Sequence, residues 1–208
     1  MTRELVLATR NRHKRDELMA LLTGLDVRVR TLDEFPQVHD VIEDGATCEE
    51  NAIKKAREVS AATGVTAVAD DTGLEVDALG GKPGVFAARY AGEDVTYEDN
   101  WRKLLNELSG VPRSQRTARF ITVAAIVTPA HDIYVAHGTL AGYITETPQG
   151  TEGFGYDPVF YVPQFGKTLA ELSGLEKNRI SHRAQAFVHV RGWLEETARS
   201  PAGMQSDR

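Results

Sequence analysis

Two adjacent carboxylates, Asp70 and Asp71, close a short apolar run, Ala67-Val68-Ala69. With its β-branched Val68, that run predicts a buried strand. Gly73 then predicts a turn, after which Leu74-Glu75-Val76 resumes an alternating, strand-like pattern. Carboxylates at the end of a buried strand are costly to desolvate unless a cation or hydrogen-bond donors meet them. A metal site with a water-activating carboxylate fits this arrangement. An Asp-rich turn with a capping role is the alternative that the dipeptide by itself leaves open.

The N-terminal region supplies cations in a telling place. Leu5-Val6-Leu7-Ala8 reads as a buried strand. Beyond Thr9 the pattern turns helical, with Leu18, Leu21 and Leu22 on one face, Asn11 as N-cap and Gly24 as stop. A strand feeding a loop and a helix start makes an anion site, because free N–H groups and the helix dipole point at the loop. Thr9 and Asn11 offer hydrogen bonds there. Lys14 sits in the first turn, where a cation opposes the dipole unless an anion is held. A solvated lysine on an ordinary strand–helix unit is the plainer reading of this segment. Neither a Walker-type loop nor a Gly-x-Gly-x-x-Gly fingerprint is present.

Further along, Val27–Arg30 predicts a second strand, and a loop through Pro36 leads to Glu43-Asp44-Gly45. Cys48–Thr63 predicts a helix with Ala52, Ala56 and Val59 on its packed face and Gly64 as stop; Lys54, Lys55 and Arg57 give it a basic side. Gly80, Gly81, Pro83 and Gly84 mark a loop, and Thr96–Leu108 a helix ending before Gly110 and Pro112. Arg119–Thr128 and Ile133–Thr145 predict a long hairpin, expected to form a second lobe. Gly153-Phe154-Gly155-Tyr156-Asp157-Pro158 is a turn whose two aromatics could grip a planar base, or simply pack. Lys177 follows, and Ser181 predicts the N-cap of a last helix reaching about Arg199. His182 and Arg183 then fall in a first turn, where cations again call for an anion or acceptor. The tail, 200–208, is polar and expected to be disordered. No linker divides the chain, so residues 1–199 are expected to form one unit.

A net charge of −6 argues against a general nucleic-acid binder, yet leaves room for a small anion in a local basic pocket. The single cysteine, Cys48, excludes an internal disulfide framework and fits a reducing compartment. No apolar run approaches the roughly 20 residues of a membrane span, and the N-terminus lacks a signal-peptide pattern. A cytoplasmic protein is the expectation. Cations combined with carboxylates that hold a divalent ion describe a polyphosphate site, and the oxygen ligands Glu43 and Asp71 suit Mg²⁺ better than zinc.

Seven segments occur in one order along the chain: Thr9-x-Asn11-x-x-Lys14, Glu50-Asn51-Ala52-x-x-Lys55-Ala56, Asp70-Asp71-Thr72-Gly73-Leu74, Gly80-Gly81-x-Pro83-Gly84, Ala88-Arg89-Tyr90-Ala91-Gly92, Gly153–Pro158 and Ser181-His182-Arg183. Together they resemble the inosine/xanthosine triphosphate pyrophosphatase family. The resemblance implies an elongated mixed α/β sheet with flanking helices, two lobes around a central cleft, and homodimerisation. It also implies Mg²⁺-dependent hydrolysis of deaminated purine nucleoside triphosphates (ITP, dITP, XTP) to monophosphate and pyrophosphate, a cleansing of the nucleotide pool. Through it Asp71, with Asp70 beside it, matches the catalytic carboxylate, and Asp71 and Glu43 match metal ligands. Thr9, Asn11, Lys14, Lys55, Thr72 and Lys177 match positions facing phosphates and sugar. Phe154, Gly155, Tyr156 and Asp157, with His182 and Arg183, match the base pocket. Two positions depart from the family pattern: Thr72 replaces a commoner Ser, and Arg10 stands where many members have Gly.

Three other readings compete. A pyrophosphatase for modified pyrimidines would share the phosphate machinery without needing the aromatic turn. A nucleotide sensor could lose the carboxylates, all of which are present here. A purely structural protein leaves the cations at helix starts unexplained.

Overall fold

The computed structural model describes residues 3–199; the tail 200–208, expected to be disordered, lies outside the described residues. One eight-stranded sheet runs through the molecule. Its order is β2 (Arg28–Thr31), β1 (Glu4–Leu7), β3 (Ala67–Val76), β5 (Thr117–Val127), β6 (Ile133–Ile144), β7 (Phe160–Val162), β8 (Lys167–Thr168), with β4 (Pro83–Gly84) beside β3. β1 is parallel to β2 and β3, and every other pairing is antiparallel. The mixed α/β architecture with flanking helices is as expected, with one difference in its middle. The β5–β6 hairpin is not a lobe of its own: β5 pairs with β3 along its whole length, so the hairpin is the centre of the sheet.

Helices α1 (Arg12–Leu22), α2 (Cys48–Thr63), α3 (Tyr97–Glu107), α4 (Gly174–Ile180) and α5 (His182–Arg199) flank the sheet. Their ends follow local chemistry. Asn11 caps α1 by accepting from Lys14 N, Thr47 caps α2 by accepting from Glu50 N, and Gly64 closes α2 in the left-handed conformation at φ 67°. The short α4, which the sequence did not announce, carries a capping box of Ser173 and Glu176.

Side-chain alternation along β3 decides what each face buries. Ala67 and Ala69 face α2 and pack with Val6, Ala52, Ala56 and Val59. Val68 faces α1 and α5 and packs with Leu5, Leu7, Leu18, Ala186, Phe187 and Val190. Farther along, Leu74 and Val76 join Phe120, Leu140, Phe160 and Leu104 in a third cluster at the other end of the sheet. Each fully buried leucine in these layers contributes on the order of 1.5–3 kcal/mol. Gly138 on β6 lets α5 approach closely: a Cβ there would lie 2.0 Å from the carbonyl of His182.

The strand expected to stop at Asp70-Asp71 continues to Val76, and Gly73 is a strand residue rather than a turn. Pairing with β5 supplies backbone partners from Ala67 to Val76, so the strand needs no break there. Gly73 serves proximity instead, since a Cβ on it would sit 3.1 Å from the Gly84 carbonyl and 3.2 Å from Cys48 Sγ.

Candidate active site

β1 ends level with Val68, so β3 runs on past it without a parallel neighbour and opens a cleft of about 360 Å³. Asp70 and Asp71 stand at this step. Successive strand residues point to opposite faces, so the two carboxylates separate across the sheet and meet different partners. Asp70 turns to the α1/α5 side. Its Oδ2 lies 3.1 Å from Lys14 Nζ and 3.1 Å from Arg183 Nε. Asp71 turns to the α2 side, where Lys55 Nζ lies 3.3 Å from its Oδ1 and Asn51 Nδ2 donates to its Oδ2 at 3.3 Å.

Asp70 is fully buried, which opposes its ionisation, but Lys14 and Arg183 outweigh burial and hold its carboxyl well below the usual range. It is a fixed negative charge. Its Oδ1 is buried without a hydrogen-bond partner. Lys55 is buried too; Asp71 and Glu43 offset that burial and keep its ammonium charged. Its Nζ reaches Glu43 Oε1 at 2.9 Å and the Asp70 carbonyl at 2.8 Å. Lys55 is thus drawn in from the helix side that sequence periodicity marks as basic, whereas its neighbour Lys54 pairs with Asp44 at the surface.

The opposite wall comes from the C-terminal third. Gly153, at φ 76°, packs so tightly that a Cβ would lie 2.1 Å from Asp157 Oδ2. That carboxylate accepts from Phe154 N at 2.8 Å and from Lys177 Nζ at 2.5 Å, so it folds the turn and aims Phe154 together. Burial raises its pKa, against the pull of Lys177. Phe154 lines the cleft, with the Lys177 ammonium 4.7 Å from its ring centre. Tyr156 is buried at the cleft floor and spends its hydroxyl on the Ala87 carbonyl.

His182 and Arg183 open α5, where Ser181 Oγ accepts from Ala184 N as expected of an N-cap. The anions they call for are in the protein itself. Arg183 donates to Asp70, to Thr72 Oγ1 at 3.2 Å and to Glu17 Oε2 at 2.5 Å. His182 is not a cation: burial, then the nearby charges of Arg183 and Lys177, push it well below the usual imidazole range. Its Nδ1 lies 2.5 Å from Thr122 Oγ1, which meets Thr72 Oγ1 at 2.7 Å, a polar chain leading from α5 to β3.

The cleft therefore gathers Thr9, Asn11, Lys14, Glu43, Lys55, Asp71, Thr72, Phe154, Gly155, Tyr156, Asp157, Lys177, His182 and Arg183. Asp70 sits behind them as their anchor. Sequence reasoning missed three contributors. Glu17 bridges Lys177 at 2.7 Å and Arg183 at 2.5 Å; its place three residues after Lys14 on a helix was a usable signal. Asn51 fixes Asp71 and also accepts from Gly45 N at 2.8 Å. Tyr97, donated to by Asn11 Nδ2 at 2.8 Å, carried no local signal. Arg10 folds onto Asp40 at 2.6 Å and the Val38 carbonyl at 2.5 Å, steadying the loop that leads to Glu43.

Among the described residues no group of three or more His, Cys, Asp or Glu side chains is arranged to hold a metal. A hard divalent cation nevertheless fits the donor set. Glu43 and Asp71 already share one cationic neighbour, Lys55, and Mg²⁺ typically takes one or two carboxylates and completes its shell with phosphate oxygens and water.

The fold and the cleft define a class: a mixed α/β protein whose sheet opens onto buried carboxylates, paired cations and one half-buried aromatic ring. The chain belongs to the Ham1 family, whose model matches residues 5–193. A relative from Geobacillus kaustophilus, named dITP/XTP pyrophosphatase, is 50% identical over 194 residues, covering 93% of this chain and 95% of its own. Among solved structures, a HAM1 protein from Coxiella burnetii superposes with a TM-score of 0.85 at 42% identity, covering 93% of this chain and 99% of its own. The Staphylococcus aureus Ham1 protein does so at 0.84 and 41%, covering 94% and 100%. The resemblance drawn from the seven ordered segments is borne out.

Proposed function

We propose that this protein is a nucleoside triphosphate pyrophosphatase that hydrolyses deaminated purine nucleoside triphosphates, ITP, dITP and XTP, to the monophosphate and pyrophosphate. The observation that carries the reading is the division of labour between adjacent carboxylates. Asp70, ionised and spent on Lys14 and Arg183, holds Lys14 toward a polyanion and fixes Arg183 beside the base. Asp71, held by Asn51 and Lys55 at the cleft wall, is placed to take the proton of an attacking water. The names of relatives such as the Geobacillus kaustophilus protein support the same substrate class.

The charge balance supports a cofactor. Four cations, Lys14, Lys55, Lys177 and Arg183, face five carboxylates, Glu17, Glu43, Asp70, Asp71 and Asp157. A site that is not net positive needs a further cation before a triphosphate gains from entering. Mg²⁺ held by Asp71 and Glu43 would neutralise phosphate charge and draw electron density from the phosphorus under attack. Lys14, Lys177 and the N-terminus of α1 bind the phosphates; Phe154 stacks on the base; His182 and Arg183 border its polar edge. Residues 1–199 act as one unit, as a homodimer in the cytoplasm, without nucleic acid. No described helix is long and apolar enough to cross a membrane.

Pyrophosphate release with ITP, dITP, XTP, GTP, ATP and dUTP, with and without Mg²⁺, tests the proposal. Rapid turnover of ITP, dITP and XTP only with the metal is expected; preference for dUTP or ATP overturns it. In ¹⁸O-water the label should enter the monophosphate, since attack falls on the α-phosphorus. Label confined to pyrophosphate, or free phosphate as the first product, removes that assignment.

A further inference from the structure

The polar chain between α5 and β3 has a direction. Thr122 on β5 is fully buried and lies opposite Thr72 on β3 and Gly138 on β6. Because Gly138 carries no side chain, the first turn of α5 settles onto β6 and brings the His182 ring to Thr122, with Nδ1 2.5 Å from Oγ1. Phe120, 4.6 Å away between ring centres, packs on the same imidazole. The chain begins at Arg183, which has donors and no acceptor, so its Nη2 donates to Thr72 Oγ1 at 3.2 Å. Thr72 has one hydrogen to give. Thr122 Oγ1 lies at 2.7 Å, within the normal O–H···O range; Asp70 Oδ2 lies at 3.4 Å, beyond it, and is already met by Lys14 and Arg183. Thr72 therefore donates to Thr122, and the Thr122 hydrogen is left for His182 Nδ1. Burial, with the nearby charges of Arg183 and Lys177, keeps this imidazole neutral. A neutral ring that accepts at Nδ1 carries its hydrogen on Nε2.

From this order of donors, and resting on the function proposed above, we infer that Thr122 is a positioning residue for base selection: its hydroxyl holds His182 as the Nε2–H tautomer, so that His182 offers the base a donor and not an acceptor. His182 lines the cleft, and among the described residues Nδ1 is its only ring nitrogen with a hydrogen-bond partner. Nε2–H is thus the group left for a ligand. A 6-oxo purine meets it with an acceptor, whereas adenine presents the 6-amino group, a donor. A free imidazole would accommodate adenine by moving its hydrogen to Nδ1 and turning an Nε2 lone pair to the amino group. The Thr122 hydroxyl opposes that switch, because the bond at one ring nitrogen sets the state of the other. An Nδ1–H would meet the Thr122 hydrogen donor to donor unless the whole chain reversed, ending on the 3.4 Å contact to Asp70.

The test compares Thr122→Val, which keeps the shape and removes the hydroxyl, with Thr122→Ser, which keeps the hydroxyl. In Thr122→Val the ratio of kcat/KM for ITP to that for ATP should fall about two- to tenfold, the worth of one neutral hydrogen bond. The ratio for ITP to GTP should hold, because guanine keeps the 6-oxo group. Thr122→Ser should retain both wild-type ratios. Equal losses for ITP and ATP in Thr122→Val would make Thr122 a packing residue and overturn the inference. The tautomer itself is read by ¹⁵N NMR of the wild-type protein, with the His182 signals assigned by their loss in His182→Asn. A protonated Nε2 and a bare Nδ1 are expected; a protonated Nδ1 overturns the inference, whether or not Thr122→Val folds. If wild type hydrolyses no nucleotide, the proposed function fails, while the ¹⁵N spectrum and the calorimetric IMP to AMP affinity ratio in Thr122→Val still decide the role of Thr122.

Discussion

Arg183 Nη1 lies 2.5 Å from Glu17 Oε2, an ion pair that ties the first turn of α5 to α1 across 166 residues. The other carboxylate oxygen of Glu17 holds Lys177 at 2.7 Å. One side chain thus fixes two cleft cations that burial would otherwise make expensive. Replacing it leaves two buried positive charges facing each other with less compensation. Glu17→Ala should cost about 3 kcal/mol, the lower end for a broken buried pair because Glu17 keeps partial solvent access. Urea unfolding measures it. A loss under about 1 kcal/mol would mean that Asp70 and Asp157 suffice to hold the cations.

Asp71→Asn keeps the shape of the side chain and its Asn51 neighbour but removes the charge that accepts a proton. Turnover of ITP should fall about 10²- to 10⁴-fold, while the melting temperature drops but folding persists, because Lys55 loses one of its charged partners and keeps Glu43 and the Asp70 carbonyl. Near-normal pyrophosphate release would move the base elsewhere in the cleft.

Acid should destabilise the fold through His182. In the folded protein burial, reinforced by Arg183 and Lys177, keeps this imidazole neutral well below its usual range. The unfolded chain takes up a proton below about pH 6.5. Between those values the unfolded state binds more protons, so stability rises with pH and is lost as pH falls below about 6.5. The slope is at most ~1.4 kcal/mol per pH unit. Denaturation midpoints of wild type and His182→Asn between pH 5 and 8 (about that window) should converge toward acid pH. Parallel curves would show that His182 does not titrate differently on unfolding.

Cys48 opens α2 beside Asp71, and burial, with the Asp71 carboxylate second, pushes its thiol up to about 12. Thiolate is the reactive form, so alkylation by iodoacetamide at neutral pH should be slower by two orders of magnitude or more in the folded protein than in urea, an estimate from thiolate fraction. Asp71→Asn should speed it. Equal rates in folded and unfolded protein would place the thiol in open solvent.

Features that depend on near neighbours were legible in the sequence. Asn11 and Gly64 end helices through contacts spanning a few residues, and α2 runs over the predicted Cys48–Thr63. The ordered segments marked the cleft residues for the same reason, since each carries its chemistry within a few positions. What the sequence could not display is set by strand pairing and by distance along the chain. Pairing with β5 carries β3 through Asp70 and Asp71, and the alternation of an unbroken strand then sends the two carboxylates to opposite faces. Glu17 reaches Arg183, and Thr72 reaches Thr122, only because the sheet brings remote segments together. Composition and local pattern determined which groups the protein has for its chemistry; tertiary packing decided which of them are buried, charged and paired, because desolvation and Coulomb energies depend on distance in space and not along the chain.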